Sequence, residues 1–81
     1  MEETVYPTLR RWHVRRRYRH NVDAEWETDG RYDTGIMHFA GFTTAVCVVT
    51  DIISRQHAET WIRNGHEWSS RNVILEIVEV V

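Results

Sequence analysis

The sequence has 81 residues, with ten Lys and Arg, twelve Asp and Glu, and a formal net charge of −2 at pH 7. A chain of this length predicts one domain with a thin core, and its net charge excludes a polycation. Any nucleic-acid site must therefore be a local patch. Cys47 is the single cysteine, which excludes a disulfide within the chain and is typical of a reduced, cytoplasmic protein.

The beginning of the chain predicts neither export nor membrane insertion. We expect no signal peptide, because no basic start is followed by an apolar segment. The apolar runs are far shorter than the roughly 18 residues that a membrane helix needs. Residues 1–8, which contain Pro7, are predicted to be an N-terminal tail, and residues 9–81 a single α+β domain.

An arginine-rich segment, RWHVRRRYR over residues 11–19, opens the predicted domain. Its odd-numbered positions are basic and its even-numbered positions are mostly apolar, with Arg16 as the exception. This period of two predicts a half-buried antiparallel strand with one basic face. Candidate partner-binding residues come from this strand and from one tryptophan further along the chain: Arg11, His13, Arg15, Arg16, Arg17, Arg19 and Trp68.

The next segment, DAEWETDG over residues 23–30, alternates with the same period but carries acidic residues at its odd positions. A three-residue loop over residues 21–23 would bring the two charged rows onto one face of a β-hairpin. Each such cross-strand charge pair contributes roughly 0.2–1 kcal/mol. The predicted neighbours are Arg19 with Glu25, Arg17 with Glu27, Arg15 with Asp29, and Tyr18 with Trp26. This register would leave Arg11, His13 and Arg16 without acidic partners.

Two apolar segments follow the hairpin. IMHF, residues 36–39, is predicted to be a strand with Gly41 as a bend or bulge after it. TTAVCVVT, residues 43–50, is rich in β-branched residues and predicts a buried strand. The sequence leaves open whether these are two strands or one bent strand. Cys47 is flanked by valines, so we expect a small core side chain rather than a nucleophile.

The last third of the chain predicts one helix and one strand. Residues 54–65 form the predicted helix, with Ser54 as its N-cap and Gly65 as its stop. Residues 66–71 are predicted to be a loop. Residues 72–80, which are apolar on both faces apart from two glutamates, predict a central strand. A right-handed crossover through the helix would make this strand parallel to the one before the helix.

These elements predict an α+β sheet with one helix on one face. The opposite face would expose apolar side chains, which usually marks a binding partner, and a symmetric homodimer is the simplest way to cover it. No histidine has a metal-ligand spacing with Cys47, and the sequence contains neither a phosphate-binding glycine loop nor a nucleophile elbow. We therefore expect no enzymatic activity, no metal and no cofactor.

Three segments carry a resemblance to a broad class of proteins: WHVRRRYRH, HAETWIRNG and ILEIVEVV. Together they resemble small accessory proteins encoded by bacteriophages and mobile elements of GC-rich bacteria. Some proteins of that class inhibit host defence or host regulators by binding. The resemblance implies a non-enzymatic protein that binds and modulates a host protein, and it assigns no functional residue.

The alternative function is a nucleic-acid-binding module. The arginines of the first strand would contact phosphates, and Trp12 and Tyr18 would stack on bases. The two aromatic residues occupy even positions, however, and the main arginine row occupies odd ones. The period of two therefore places them on opposite faces, which favours the protein-binding hypothesis.

Overall fold

The computed structural model describes residues 11–33, 35–56 and 59–80. Within these ranges the chain forms a six-stranded antiparallel sheet with one α-helix packed on one face. The elements are β1 (Arg11–Tyr18), β2 (Glu27–Thr28), β3 (His38–Phe39), α1 (Phe42–Ser54), β4 (Ile62–Asn64), β5 (Glu67–Ser69) and β6 (Val73–Val80). The predicted α+β class, opening hairpin and final strand are confirmed. The predicted tail over residues 1–8 lies outside the described residues.

The final strand, β6, is the centre of the sheet. The strand order is β2-β1-β6-β5-β4, and β3 also pairs with β1. β1 and β6 pair along their whole length, from Arg11 opposite Val80 to Tyr18 opposite Val73. Apolar residues on both faces predicted this central position, and it is confirmed. The predicted crossover is wrong, because residues 43–50, its expected first strand, are helical, and Ile62–Asn64 of its expected helix is a strand. β6 runs antiparallel to both of its neighbours.

The core lies between the sheet and α1. Even positions of β1 and odd positions of β6 form the inner face, which packs on the helix. Val14 and Ile77 are directly opposite each other on this face, and both are buried. The full set of buried apolar side chains is Val14, Ala45, Val49, Trp68, Leu75 and Ile77. Odd positions of β1 and even positions of β6 form the outer face.

The buried strand predicted over residues 43–50 is wrong, because this segment is most of α1. Ala45, Val49 and Ile52 recur at i, i+4 and i+7, which turns one stripe of the helix toward the sheet. β-Branched residues lose only tenths of a kcal/mol each in a helix, so burial of this stripe outweighs their strand preference. Cys47 lies off the stripe and is exposed, so its predicted burial is wrong as well. No helix in the described ranges is long and apolar enough to cross a membrane.

The helix predicted over residues 54–65 is also wrong. α1 ends at Ser54, and Ile62–Asn64 forms strand β4. Residues 57 and 58 lie outside the described part of the chain. Gly65, with φ of 63°, begins the tight turn of a hairpin rather than ending a helix, and Asn64 pairs with Glu67 across that turn. Asn-Gly is a signal for both structures, and here the hairpin is formed.

Two further boundaries differ from the prediction. Residues 66–71 are not all loop, because Glu67–Ser69 forms β5. Of the strand predicted over residues 36–39, only His38–Phe39 is extended, since Gly35–Met37 is a short 3-10 helix. Gly41, predicted to be a bend, occupies the N-cap position of α1.

Candidate functional site

The first hairpin has a different register from the predicted one. Arg17 lies opposite Thr28, and Tyr18 lies opposite Glu27, one residue away from the predicted alignment. A shift of one residue moves every side chain of a strand to the other face. The connection spans residues 19–26 rather than three residues. The predicted neighbours are therefore wrong in all four cases: Arg19 with Glu25, Arg17 with Glu27, Arg15 with Asp29, and Tyr18 with Trp26.

Arg16 is held by a buried carboxylate. Its Nη1 donates to Oδ2 of Asp29 at 3.0 Å, and the Asp29 side chain is only 4% exposed. Arg31 donates to the same carboxylate from Nε and Nη2, both at 3.1 Å. These hydrogen bonds from Arg31 hold the pKa of Asp29 below its ordinary value, although burial acts in the opposite direction. The prediction that Arg16 lacks an acidic partner is therefore wrong.

Arg19 lies beyond the end of β1 and joins two turns. Its guanidinium lies 4.5 Å from the centre of the Trp26 ring. Nη2 donates to the carbonyl of Arg71 at 2.6 Å, and Nη1 donates to the carbonyl of Val22 at 3.3 Å. Nε donates to the Asn72 side chain at 3.3 Å. Arg19 therefore secures the β1–β2 connection against the turn before β6 and is not available to a partner.

Arg17 forms ion pairs with two glutamates of the outer face. Its Nη2 lies 3.5 Å from Oε1 of Glu67, and its Nε lies 3.4 Å from Oε1 of Glu76. In the strand register, however, Glu76 is opposite Arg15. Because Glu76 turns to Arg17, the half-buried side chain of Arg15 forms no ion pair or hydrogen bond with the residues that the structure describes.

Arg11 and His13 complete the basic row of the outer face. Arg11 is exposed, and its side chain likewise has no polar partner within the described ranges. His13 Nε2 donates to the carbonyl of Tyr32 at 2.5 Å and lies 3.8 Å from Oδ1 of Asp33. Its ring centre is 4.5 Å from that of His38, which is its neighbour on β3. His13 is thus tied to the edge of the sheet, whereas Arg11 and Arg15 lie on the outer face without a polar partner among the described residues.

A shallow pocket lies beside this row. Its volume is about 350 Å³. Seven residues line it: His13, Arg15, Asp33, His38, Val78, Glu79 and Val80. The pocket therefore combines a guanidinium, two imidazoles and two carboxylates with an aliphatic wall.

Aliphatic side chains lie next to the basic row on the outer face. Ile74, Val78 and Val80 occupy three of the four outer positions of β6, with Glu76 at the fourth, and each of the three is only half-buried. Ile62, at the edge strand β4, is 67% exposed. Within the described ranges, no outer-face side chain of β1 or β6 is buried. The structure thus presents a mixed basic and aliphatic surface on the side of the sheet away from α1.

Trp68 belongs to the inner face and is not part of this surface. It lies in β5 opposite Leu75 and is only 7% exposed. The guanidinium of Arg63 lies 4.6 Å from the centre of its ring. Its role as a partner anchor stays a prediction, and in the structure it packs in the core.

Five of the seven pocket residues were not among the candidates from sequence: Asp33, His38, Val78, Glu79 and Val80. Val78 and Val80 follow from the alternation of the last strand once the side that faces α1 is known. His38 gave no local signal, because it reaches the site through the long-range pairing of β3 with β1.

No group of three or more His, Cys, Asp or Glu side chains in the described part of the chain is arranged to hold a metal ion. No protein-family model matches the sequence. Neither a curated protein nor a solved structure is significantly similar to the chain.

Proposed function

We propose that this chain is a non-enzymatic binding protein whose outer sheet face docks on an acidic surface of a partner protein. The observation that carries the proposal is the pair Arg11 and Arg15, whose side chains have no polar partner in the described ranges. They lie beside half-buried aliphatic side chains on a face that α1 does not cover. Arginine and apolar area in the centre of a patch are typical of protein interfaces.

The charge pattern of the face favours an acidic partner. Arg17 forms ion pairs with Glu67 and Glu76, so these carboxylates do not neutralise Arg11 and Arg15. Unpaired guanidinium groups attract acidic surfaces over a distance and speed association, while aliphatic contacts slow dissociation. The basic row on β1 and the aliphatic row on β6 supply these two contributions side by side.

The nucleic-acid alternative has weaker support from the same geometry. Trp12 is on the inner side of β1, where its ring centre is 5.1 Å from that of Phe42. Tyr18 is on the same inner side, opposite Val73. A single-strand platform stacks bases on exposed aromatic side chains next to its cations. The outer face instead offers aliphatic residues and two glutamates, which do not provide such stacking.

The proposed partner is a host protein that the chain inhibits or modulates in the cytoplasm. This part of the proposal is supported by the resemblance to phage and mobile-element accessory proteins and by the lone cysteine. A homodimer, which the sequence also predicts, would need the same aliphatic side chains of β6. Self-association and partner binding would therefore compete for one surface.

The test compares two doubly substituted variants with identical changes in charge. Arg11→Glu/Arg15→Glu reverses the outer face, whereas Arg55→Glu/Arg71→Glu reverses two exposed arginines away from it. Each protein is immobilised, and host-cell proteins retained from lysate are quantified by mass spectrometry. We expect at least one protein that wild type and the control retain equally and that the face variant loses at least tenfold. Equal retention of every protein by both variants would contradict the proposal.

Two further measurements separate the alternatives. The retained protein is purified and titrated against wild type, so that direct binding is established. Binding of short single-stranded and duplex DNA is measured by fluorescence anisotropy at low salt. Tight DNA binding that is lost in the face variant and falls steeply with salt would favour the nucleic-acid module instead. Sedimentation over a range of concentrations detects the competing homodimer.

A further inference from the structure

The pocket on the outer face has the dimensions of a small ligand site. Its volume of about 350 Å³ is at the lower end of the range for such sites, roughly 300–1,000 Å³. Three of its residues lie in one row across the sheet, because His38 pairs with His13 and His13 pairs with Val78. Backbone hydrogen bonds of three strands thus fix the floor of the pocket.

The guanidinium of Arg15 is the group in the pocket that is best suited to bind an anionic ligand. Residue Arg15 is half-buried, and its cross-strand neighbour Glu76 forms an ion pair with Arg17. A partly desolvated cation without a counter-ion is unfavourable, and a carboxylate that enters the pocket would relieve this cost. The planar guanidinium also matches the two oxygens of a carboxylate in a bidentate arrangement.

The other walls narrow the class of ligand. Val78 and Val80 project from the same side of β6 and provide an aliphatic surface for a short alkyl chain. Asp33 lies 3.8 Å from His13 Nε2, and its side chain is 46% exposed. This carboxylate and that of Glu79, which also lines the pocket, disfavour a ligand with two negative charges, such as a phosphate monoester, and leave Arg15 as the position for a single negative charge.

We propose that this pocket binds an aliphatic monocarboxylate, with its carboxylate on Arg15 and its alkyl chain on Val78 and Val80. His13 and His38 form the polar wall beside the carboxylate. The ligand is either the side chain of a glutamate on a partner protein or a free short-chain acid. The glutamate source rests on the proposed function, whereas the carboxylate site itself does not.

The experiment is an NMR titration of the isotope-labelled full chain. The observed signals are the ring C–H groups of His13 and His38 and the Nε–Hε group of Arg15. The probes are butyrate, an acetylated and amidated Ala-Glu-Ala peptide, its Ala-Gln-Ala counterpart, and inorganic phosphate. We expect saturable shifts of these signals with butyrate or with the glutamate peptide, and none with the glutamine peptide.

Variants assign the binding to the named groups. Arg15→Gln is expected to raise the Kd at least tenfold, whereas Arg71→Gln, an exposed site outside the pocket, leaves it unchanged. Val78→Ala is expected to weaken butyrate several-fold and acetate hardly at all, because acetate has no chain to pack on the wall. Amide spectra of each variant confirm that the fold is retained, and Arg15→Lys provides a second change that keeps the charge but loses the bidentate fork.

The outcomes separate the two sources and the two proposals. Binding of butyrate alone indicates a free acid, and binding of the glutamate peptide indicates a partner side chain. The site is refuted if no carboxylate shifts these signals at roughly 50 mM, which corresponds to negligible affinity. It is also refuted if phosphate binds more tightly than butyrate, or if Arg71→Gln weakens binding as much as Arg15→Gln. Face-dependent partner retention without carboxylate binding would leave the proposed function intact and remove only this site.

Discussion

Arg16 Nη1 and Asp29 Oδ2 form a 3.0 Å ion pair at the inner side of the sheet edge. Arg31, whose side chain is well exposed, donates to the same carboxylate. Asp29 also accepts a hydrogen bond from the backbone N–H of Arg31, and its own backbone N–H donates to the carbonyl of Arg16. This double attachment joins the segment after β2 to the middle of β1, so Asp29 serves as a structural clamp.

Removal of the clamp carboxylate is expected to destabilise the fold. Asp29→Ala leaves the largely buried guanidinium of Arg16 without its counter-ion, and we expect a loss of about 2–3 kcal/mol in the free energy of unfolding. Urea denaturation followed by circular dichroism measures the loss. Arg31→Ala provides the matched control: Arg31 is well exposed, so its loss is expected to be clearly smaller. Equal losses of unfolding free energy in the two variants would show that the ion pair of Asp29 with Arg16 does not contribute to stability.

The same carboxylate makes stability depend on pH. Because the pKa of Asp29 is lower in the folded chain, its contribution is complete above the ordinary Asp pKa of about 3.9. The contribution is lost as the pH falls through the lower folded-state pKa. We therefore expect the stability difference between wild type and Asp29→Asn to be constant near neutral pH and to shrink below about pH 4. Urea titrations of both proteins across this range test it, and a difference that grew on acidification would contradict the assignment.

The stability of the fold should depend on the planar shape of the Arg19 side chain as well as on its charge. It contacts Trp26 through the ring and binds two backbone carbonyls and an amide oxygen. We expect Arg19→Lys to lose about 1–3 kcal/mol, because an ammonium group cannot make this planar set of contacts. Arg11→Lys, at an exposed position, is expected to stay within about 0.5 kcal/mol of wild type. Chemical denaturation of both variants provides the comparison, and full stability of Arg19→Lys would refute the role given to the fork.

The helical assignment of residues 43–50 can be tested through Cys47. An exposed thiol on α1 reacts with a thiol reagent in the native chain almost as fast as in urea, whereas a thiol in a buried strand would be protected. We also expect Cys47→Ala to leave the free energy of unfolding nearly unchanged. Val49→Ala is expected to lower it by about 1–3 kcal/mol, since Val49 is buried on the side of α1 that packs on the sheet. Protection of the thiol together with a large cost at Cys47 would support the strand instead.

The sequence predicted the two long strands well because their patterns are strong. The alternation of β1 and the two-sided apolarity of β6 are properties of the segments themselves. The partner of β1 could not be predicted in the same way, since β1 pairs along its length with a strand near the other end of the chain. The acidic segment over residues 23–30 predicted a local pairing of Asp29 with Arg15, but Asp29 forms its ion pair with Arg16.

The exchange of helix and strand in the middle of the chain has a different cause. Residues 43–50 prefer strands locally, yet Ala45 and Val49 sit at the spacing that packs a helix on the sheet. Tertiary burial therefore overrides local propensity. Asn64-Gly65 fits a helix end and a hairpin turn equally well, so its outcome depends on the β5–β6 pairing that follows.

The candidate site was predicted in part. Alternation placed Arg11, His13 and Arg15 on one face, and the structure keeps them there. Among the described residues Arg16 is paired and Arg15 is not, the reverse of the expectation, because a one-residue change in register brings Asp29 to the face of Arg16. His38 joins the site only through the long-range pairing of β3 with β1, which no local pattern encodes. Val78 follows from the alternation of β6 once the side that faces α1 is known.

We propose that Arg15 binds the partner, whereas its neighbour Arg17 stabilises the sheet through Glu67 and Glu76. The most direct test measures both partner retention and unfolding free energy for Arg15→Glu, with Arg17→Glu as the comparison. We expect Arg15→Glu to lose retention of the captured protein at least tenfold while its stability stays within about 0.5 kcal/mol of wild type. Full retention of that protein by Arg15→Glu would contradict the claim.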